Sequence, residues 1–482
     1  MAVFWCGKDN FSMFPGNVFY IWISWIRKVR IMAAKIKSMT EGKPIKLIFA
    51  FALPLMIGNV FQQLYTVVDT MVVGQVLGVK ALAALGASDW LNWMMLGIIQ
   101  GFAQGFSILM AQEFGAGNIQ RLKKVVGNAV VLSAVSAVLL LLAGELAVLP
   151  VLRLLQTPSD IIGQSLLYLR IMFAGIPVVM AYNLFASVLR ALGDGKTPLH
   201  AMIVAAVVNI ALDLVFVMVC GWGIAGAAAA TVIAQFVSSI YCYVHIRKIE
   251  ILALCREDFL LEGELDKKLV FLGLPMAFQN AIISVGGMIV QSVVNGFGVV
   301  FIAGFTATNK LYGVLEVAAT SYGYAMITYV GQNLGAGHIG RIRKGMKAAL
   351  GIALLTAALI AFCMLAFGHA ILGCFISGDP AEAERTMEIA YHYLAIMSIF
   401  LPVLYILHVI RSALQGMGDT VLPMASGVAE FVMRTGTAIL LPLLIGEEGI
   451  FYAEILAWAG ADVILVCSYF ARMGKYRGIE RM

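Results

Sequence analysis

The sequence predicts an all-α polytopic membrane protein, with twelve transmembrane helices in two six-helix lobes. Three observations carry this. Of 482 residues, 61% are hydrophobic and 12% charged, whereas a soluble domain carries roughly 25% charged residues. Many apolar runs reach about 18 residues or more, enough to cross a hydrocarbon core about 30 Å thick. They are continuous rather than alternating, which excludes a β-barrel. The chain also says much the same thing twice. Residues 112–117 read Gln-Glu-Phe-Gly-Ala-Gly and residues 332–337 read Gln-Asn-Leu-Gly-Ala-Gly. Leu53-Pro54 matches Leu274-Pro275, and Gly193-Asp194 ahead of Pro198 matches Gly418-Asp419 ahead of Pro423. A duplicated chain of membrane spans is how many secondary transporters are built, with the substrate path between the halves.

The spans fall, in order, near 46–76, 82–113, 125–149, 163–190, 198–219 and 223–245, then near 268–297, 301–333, 346–373, 388–415, 421–445 and 449–471. The first lobe is 39–246 and the second 268–472. Residues 247–267, rich in charge from Arg247 to Lys267, form the linker between them, and 473–482 a tail.

Orientation follows from Lys and Arg. With the start of span 1 inside, the cytoplasmic segments collect Lys43 and Lys46, Arg121 to Lys124, Arg190 and Lys196, the linker, Arg341 to Lys347, Arg411, and Arg472 to Arg481. The external loops hold only Lys80, Arg153 and Arg385, together with acids such as Asp379, Glu447 and Glu448. The positive-inside rule places both termini in the cytoplasm of a cell-membrane protein. The net charge of +6 is therefore a topology signal, and no nucleic-acid partner is expected. Six spans separate each motif from its copy, so the halves are parallel repeats about an axis along the membrane normal. Each Gly-Ala-Gly falls at a cytoplasmic helix end, where glycine suits a sharp turn. Neither copy has the spacing or lysine of a P-loop.

Residues 1–38 fit this plan poorly. Phe19 to Ile26 is apolar but too short to span, and Arg27, Lys28 and Arg30 follow at once. The segment suits an interfacial helix or an upstream extension without function, and Met39 reads as a natural start. It lacks the small-residue cleavage site of a signal peptide. The seven cysteines form no C-x-x-C pair and read as small apolar residues rather than a zinc site or disulfide framework.

An ionisable residue inside a span is a functional hypothesis by default. Asp69 lies on span 1, Asn209 and Asp213 lie four apart on span 5, and Thr231 lies on span 6. At 1.5 Å per residue, Asp69 stands about 35 Å beyond Lys46, Asp213 about 22 Å beyond Pro198, and Thr231 about 12 Å in from the outer start of span 6. All therefore sit in the outer half of the first lobe. Two carboxylates, an amide and a hydroxyl suit a proton or a hard cation such as Na⁺. Local capping inside the bundle is the structural alternative. Two nearby carboxylates in a low-dielectric site do not both ionise easily, so one site would exist in two charge states, as an antiporter needs.

In the second lobe, Glu430 and Arg434 are four apart and predict a structural intrahelical ion pair. Lys310 and Glu316, six apart, face different ways. Glu454, Asp462, Arg170, His392 and His408 are further ionisable candidates. Trp90, Trp93, Met94 and Met95 offer an adaptable apolar surface in outer span 2, equally suited to packing.

At this point the residues resemble a known family. Leu53-Pro54, the run Phe61-Gln-Gln-Leu-Tyr-Thr-Val-Val-Asp69-Thr, the doubled Gln-x-x-Gly-Ala-Gly, the stretch Leu189 to Pro198, and Asn209 with Asp213 are similar to multidrug and toxic compound extrusion (MATE) transporters over about 40–472. The resemblance implies a V-shaped cleft between two lobes and efflux of organic, often cationic and lipophilic compounds against inward H⁺ or Na⁺. No other cofactor is implied, and the partners are the small substrate and membrane lipid, around a chain that works as a monomer. It further implies that Asp69, Asn209, Asp213 and Thr231 form the cation site, joined by Asn183 on span 4. The second-lobe site of another branch, a Glu on span 7 and an Asp on span 10, is missing here. Opening of the lobes would alternate access, with span 1 bending near Pro54 and Gly58.

A flippase for lipid-linked sugars is the competing reading. It would line the cleft with Arg and Lys for pyrophosphate, and only Arg170, Lys310 and Arg434 lie mid-span. A membrane enzyme would need a motif such as H-E-x-x-H or G-x-S-x-G, and neither occurs.

Overall fold

The structure is a computed structural model describing residues 36–374, 376 and 380–480. The proposed N-terminal extension therefore lies almost wholly outside the described residues. Among the described residues, thirteen long helices follow one another. They are α1 Pro44–Val72, α2 Val79–Gly115, α3 Ile119–Leu154, α4 Ser159–Ala174, α5 Ile176–Ala191, α6 Lys196–Asp213 and α7 Ile224–Ile246. The second half holds α8 Gly263–Val294, α9 Val299–Gly335, α10 Ile339–Leu372, α11 Pro380–Gly416, α12 Val421–Ile445 and α13 Ala453–Glu480.

Ten of these are individually long and apolar enough to cross a membrane. The expected fourth span is instead a bent pair, α4 and α5, meeting at 48°. Pro177, just inside α5, removes a backbone donor and breaks the helix at Gly175. The twelfth span is α9, whose 37 residues include Lys310, Glu316 and many hydroxyls. Its polarity is tolerated because it packs against α11, α2 and α1 rather than standing in lipid. The result is the twelve-helix, two-lobe membrane fold read from the sequence.

Several helices start ahead of the expected spans, α3 at Ile119, α10 at Ile339 and α11 at Pro380. The linker is already helical from Gly263, and the tail continues α13 to Glu480. The rest of the linker is held on α3. The Asn128 amide donates to the carbonyls of Asp258 and Leu260, each at 3.1 Å, and its oxygen accepts from the Glu262 N–H at 3.1 Å.

The duplicated motifs are helix stops. At Gly117 (φ 71°) the Gly117 and Asn118 amides bond back to Phe114 and Glu113, a Schellman cap that needs a left-handed residue. Gly337 (φ 73°) closes α9 identically, with His338 bonded to Asn333. The Gly-Asp copies couple a stop to a start. Gly193 ends α5, and Asp194 Oδ1 accepts from the Lys196 and Thr197 amides, both at 3.0 Å, to open α6. Gly418 ends α11, and Asp419 accepts from Leu422 at the head of α12.

The lobes interlock through the inner halves of their first helices. The inner half of α1 (Leu47, Ile48, Phe51, Leu55) is buried in the apolar core of the second lobe with Tyr322, Met326 and Tyr329. The inner half of α8 (Leu265, Leu269, Leu272, Met276) is buried in the core of the first lobe with Leu109, Leu122 and Val126. Helices α2 and α8 meet backbone to backbone: a Cβ on Gly101 or Gly105 would come within 2.5 Å of the Ala277 or Gly273 Cα. Small residues permit this close crossing in a membrane.

Candidate functional site

Both first-lobe carboxylates stand where an α-helix loosens into π geometry. Asp69, 7% exposed, precedes the π turn Val73–Leu77 that ends the first span. Asp213, fully buried, is the last residue of α6 before the π stretch Leu214–Val219. The two π segments pack on each other. Such segments are frequent at functional sites. Pro54, the expected bend, lies inside an uninterrupted α1; the irregularity of that span falls at its outer end instead. Near Gly58 the helix is pressed onto Leu199 and Met202 of α6.

Asn209 is 1% exposed and its amide donates to Thr231 Oγ1 at 3.4 Å. Asp213 lies within electrostatic reach of Asp69. Four buried oxygens here have no protein donor: Asp69 Oδ1, Asn209 Oδ1, and Asp213 Oδ1 and Oδ2. Buried polar atoms are rarely left unpaired, so a set of unpaired oxygens fits a proton or a hard cation. The neighbouring helix turns are occupied locally, with Thr66 donating to the Gln62 carbonyl and Thr70 to the Thr66 carbonyl. Asn183 does not share its amide with the set; it donates to the Val179 carbonyl of its own helix at 2.8 Å.

Sequence reasoning missed Asp89 on α2. It lies within electrostatic reach of Asp69 and of Lys310 from the second lobe. The rule that found Asp69, a carboxylate inside an apolar span, applies equally to it. A small void one turn further along is lined by Gln62, Tyr65, Tyr182, Met202 and Gln235. Gln235 is four residues beyond Thr231, so the helical repeat placed it under the site from the outset.

The second lobe is built differently. Arg434 Nη2 donates to Glu430 at 2.9 Å and to Glu454 at 2.7 Å. Arg411 Nη2 donates to the other Glu430 oxygen at 2.7 Å. Glu430 and Arg434 are each 4% exposed. The intrahelical pair is thus the middle of a four-residue chain linking α11, α12 and α13. Arg411, counted by the sequence among the cytoplasmic basic residues, is buried inside it. Asp462 Oδ1 has no donor but lies within reach of Arg411. Glu316 faces His408 at 3.4 Å, Arg170 faces Glu145 at 3.6 Å, and His392 faces Glu448 at 3.7 Å.

A duplicated bundle of membrane-length helices is the architecture of many secondary transporters. The MatE family model matches the chain twice, over residues 54–215 and 275–440. The chain belongs to the multidrug and toxic compound extrusion family. It is similar to "Probable multidrug resistance protein YpnP" of Bacillus subtilis (strain 168), 31% identical over 86% of this chain and 92% of that protein. "Probable multidrug resistance protein YoeA" of the same strain is 31% identical over 72% of this chain and 75% of its own. A solved structure described as the outward-facing conformation of a multidrug resistance MATE transporter covers 93% of this chain and all of its own at TM-score 0.85 and 20% identity, a likeness of fold.

Proposed function

We propose that the protein is a secondary antiporter of the cell membrane, with both termini cytoplasmic, that exports organic, often cationic and lipophilic compounds in exchange for H⁺ or Na⁺. The observation that carries this reading is the contrast between the lobes. Buried Glu430 and half-buried Glu454 are each paired with arginine. Buried Asp69 and Asp213 have no cation partner among the described residues and keep acceptor atoms unpaired. Two ionised carboxylates in that setting repel and are poorly solvated. Uptake of a proton or Na⁺ by Asp69, Asn209, Asp213 and Thr231 relieves this, and its release restores an anionic pocket that attracts a cationic compound. The ion must bind the two access states unequally for transport to be coupled. The named relatives support export of drug-like compounds, and their family is a family of transporters rather than enzymes.

Efflux of a fluorescent organic cation from proteoliposomes, driven separately by a pH gradient and a Na⁺ gradient, tests the reading. Gradient-driven efflux that disappears in Asp69→Asn is the expected result, and the effective gradient names the ion. Full activity in Asp69→Asn, or efflux indifferent to both gradients, would overturn the coupling.

A further inference from the structure

We propose that the repeated glutamines Gln112 and Gln332 are the gate that shuts the Gly-Ala-Gly end of the molecule, and that residues 36–42 are a strap held by that gate. This rests on the transport reading above, in which the two ends open alternately.

The geometry is reciprocal. Gln112, at the end of α2, reaches across the seam and donates to the Gly416 carbonyl at 3.1 Å. Gln332, at the end of α9, reaches the other way and donates to the Ala191 carbonyl at 2.8 Å. Gly416 and Ala191 each precede a Gly-Asp stop by two residues, so they are equivalent positions of the two halves. Each repeat thus caps its counterpart's helix end: the last carbonyls of α5 and α11 lack intrahelical donors, and each receives one from the opposite lobe. The helix ends themselves touch. A Cβ on Gly115 would fall 2.0 Å from the Gln332 carbonyl oxygen, and one on Gly335 1.8 Å from that of Gln112.

The second copy carries an additional load. Its Oε1 accepts the Met39 N–H at 2.7 Å. The next residue, Asn333, donates to the Met39 carbonyl at 3.1 Å, and Arg341 donates to the Gly42 carbonyl at 3.0 Å. On the first-lobe side, the Lys37 carbonyl lies against Gly193. The chain ahead of α1 therefore runs under the seam and is fastened to both lobes. When Gln332 leaves Ala191 it loosens the strap in the same movement.

Ser321, fully buried on α9 where Asn59 of α1 reaches it at 3.3 Å, lies behind the gate and accepts a cysteine with little change of size. In a background lacking the native cysteines, Ser321→Cys is labelled with a membrane-impermeant maleimide from either side of oriented vesicles. Gln112→Met and Gln332→Met keep side-chain length and remove the donor. We expect labelling from the side of the basic clusters to rise about fivefold for Gln112→Met, the worth of one hydrogen bond. A larger rise is expected for Gln332→Met, and the double variant should exceed both. Labelling that stays unchanged in the double variant would overturn the gate, as would equal rises from both sides with a lowered melting temperature. The labelling needs neither substrate nor ion gradient. A one-sided rise in a protein showing no gradient-driven efflux would therefore support the gate and overturn the antiport reading.

Discussion

Asn209 spends its amide on Thr231, and the oxygen left over on Asn209 is buried without a protein donor beside two aspartates in the same condition. The hydrogen bond commits the nitrogen end of the amide to Thr231 and leaves its oxygen end without a donor. An amide turned the other way would donate to a carboxylate and satisfy the pocket from within.

Thr231→Val should therefore weaken ion binding without removing a charge. The valine keeps the shape, but the Asn209 amide is released and can turn to donate to Asp213. One hydrogen bond of about 1 kcal/mol corresponds to roughly a fivefold loss of affinity. The measurement is the Na⁺ concentration or pH giving half-maximal efflux, with maximal rate nearly retained. Thr231→Ser should behave as wild type.

Arg434→Met should be the most damaging single change in the second lobe. It leaves Glu430 with Arg411 alone and Glu454 with no cation. Breaking a buried pair in this way costs about 3–5 kcal/mol, read as a fall in thermal stability in detergent. Adding Glu454→Gln should recover much of that loss, since the stranded charge is gone.

Glycines of the seam should sort by what surrounds them rather than by motif. Gly115→Ala meets a backbone oxygen of the other lobe and should block closure, abolishing transport while the separate lobes remain folded. Gly117→Ala has open space around it but a φ of 71°, so it should cost only about 1 kcal/mol of stability and leave transport intact. Gly340→Ala, in open space on α10 without such a φ, should be silent. Efflux and melting temperature of the three variants check the order.

Asn128→Ala should free the linker. Three hydrogen bonds between this amide and residues 258–262 disappear together, and limited proteolysis within 253–262 should accelerate severalfold. The Lys124–Glu262 contact is exposed and contributes little by itself, so Lys124→Ala should leave proteolysis almost unchanged.

Much of this was legible in the sequence because the membrane permits few solutions. Continuous apolar runs gave the spans, and the two Gly-Ala-Gly copies marked cytoplasmic helix ends. Depth along a helix placed Asp69, Asp213, Asn209 and Thr231 together before any contact was known. What stayed hidden was partnership across distant helices. Arg411 looks like a loop residue, because its place near the end of a span is compatible with either side of a helix; only the approach of α12 buries it against Glu430. The repeated glutamines show the same limit. Their recurrence was plain, yet a sequence does not say which carbonyl a side chain will meet in the opposite lobe. The break at Gly175 was written in Pro177, but a proline inside a span also occurs at Pro54, where the helix runs on unbroken.

The interlocking of α1 and α8 leaves each half with a core that the other completes. During synthesis, Leu47, Ile48 and Phe51 leave the ribosome long before the residues that will cover them. Part of that cover, Tyr322, Met326 and Tyr329 of α9, arrives only later, so one face of the opening helix waits until the far half of the chain is made. Once assembled, the inner halves of these two helices belong to one half by sequence and lie in the core of the other. Rocking of the halves therefore works against both of them, which makes them axles as well as walls.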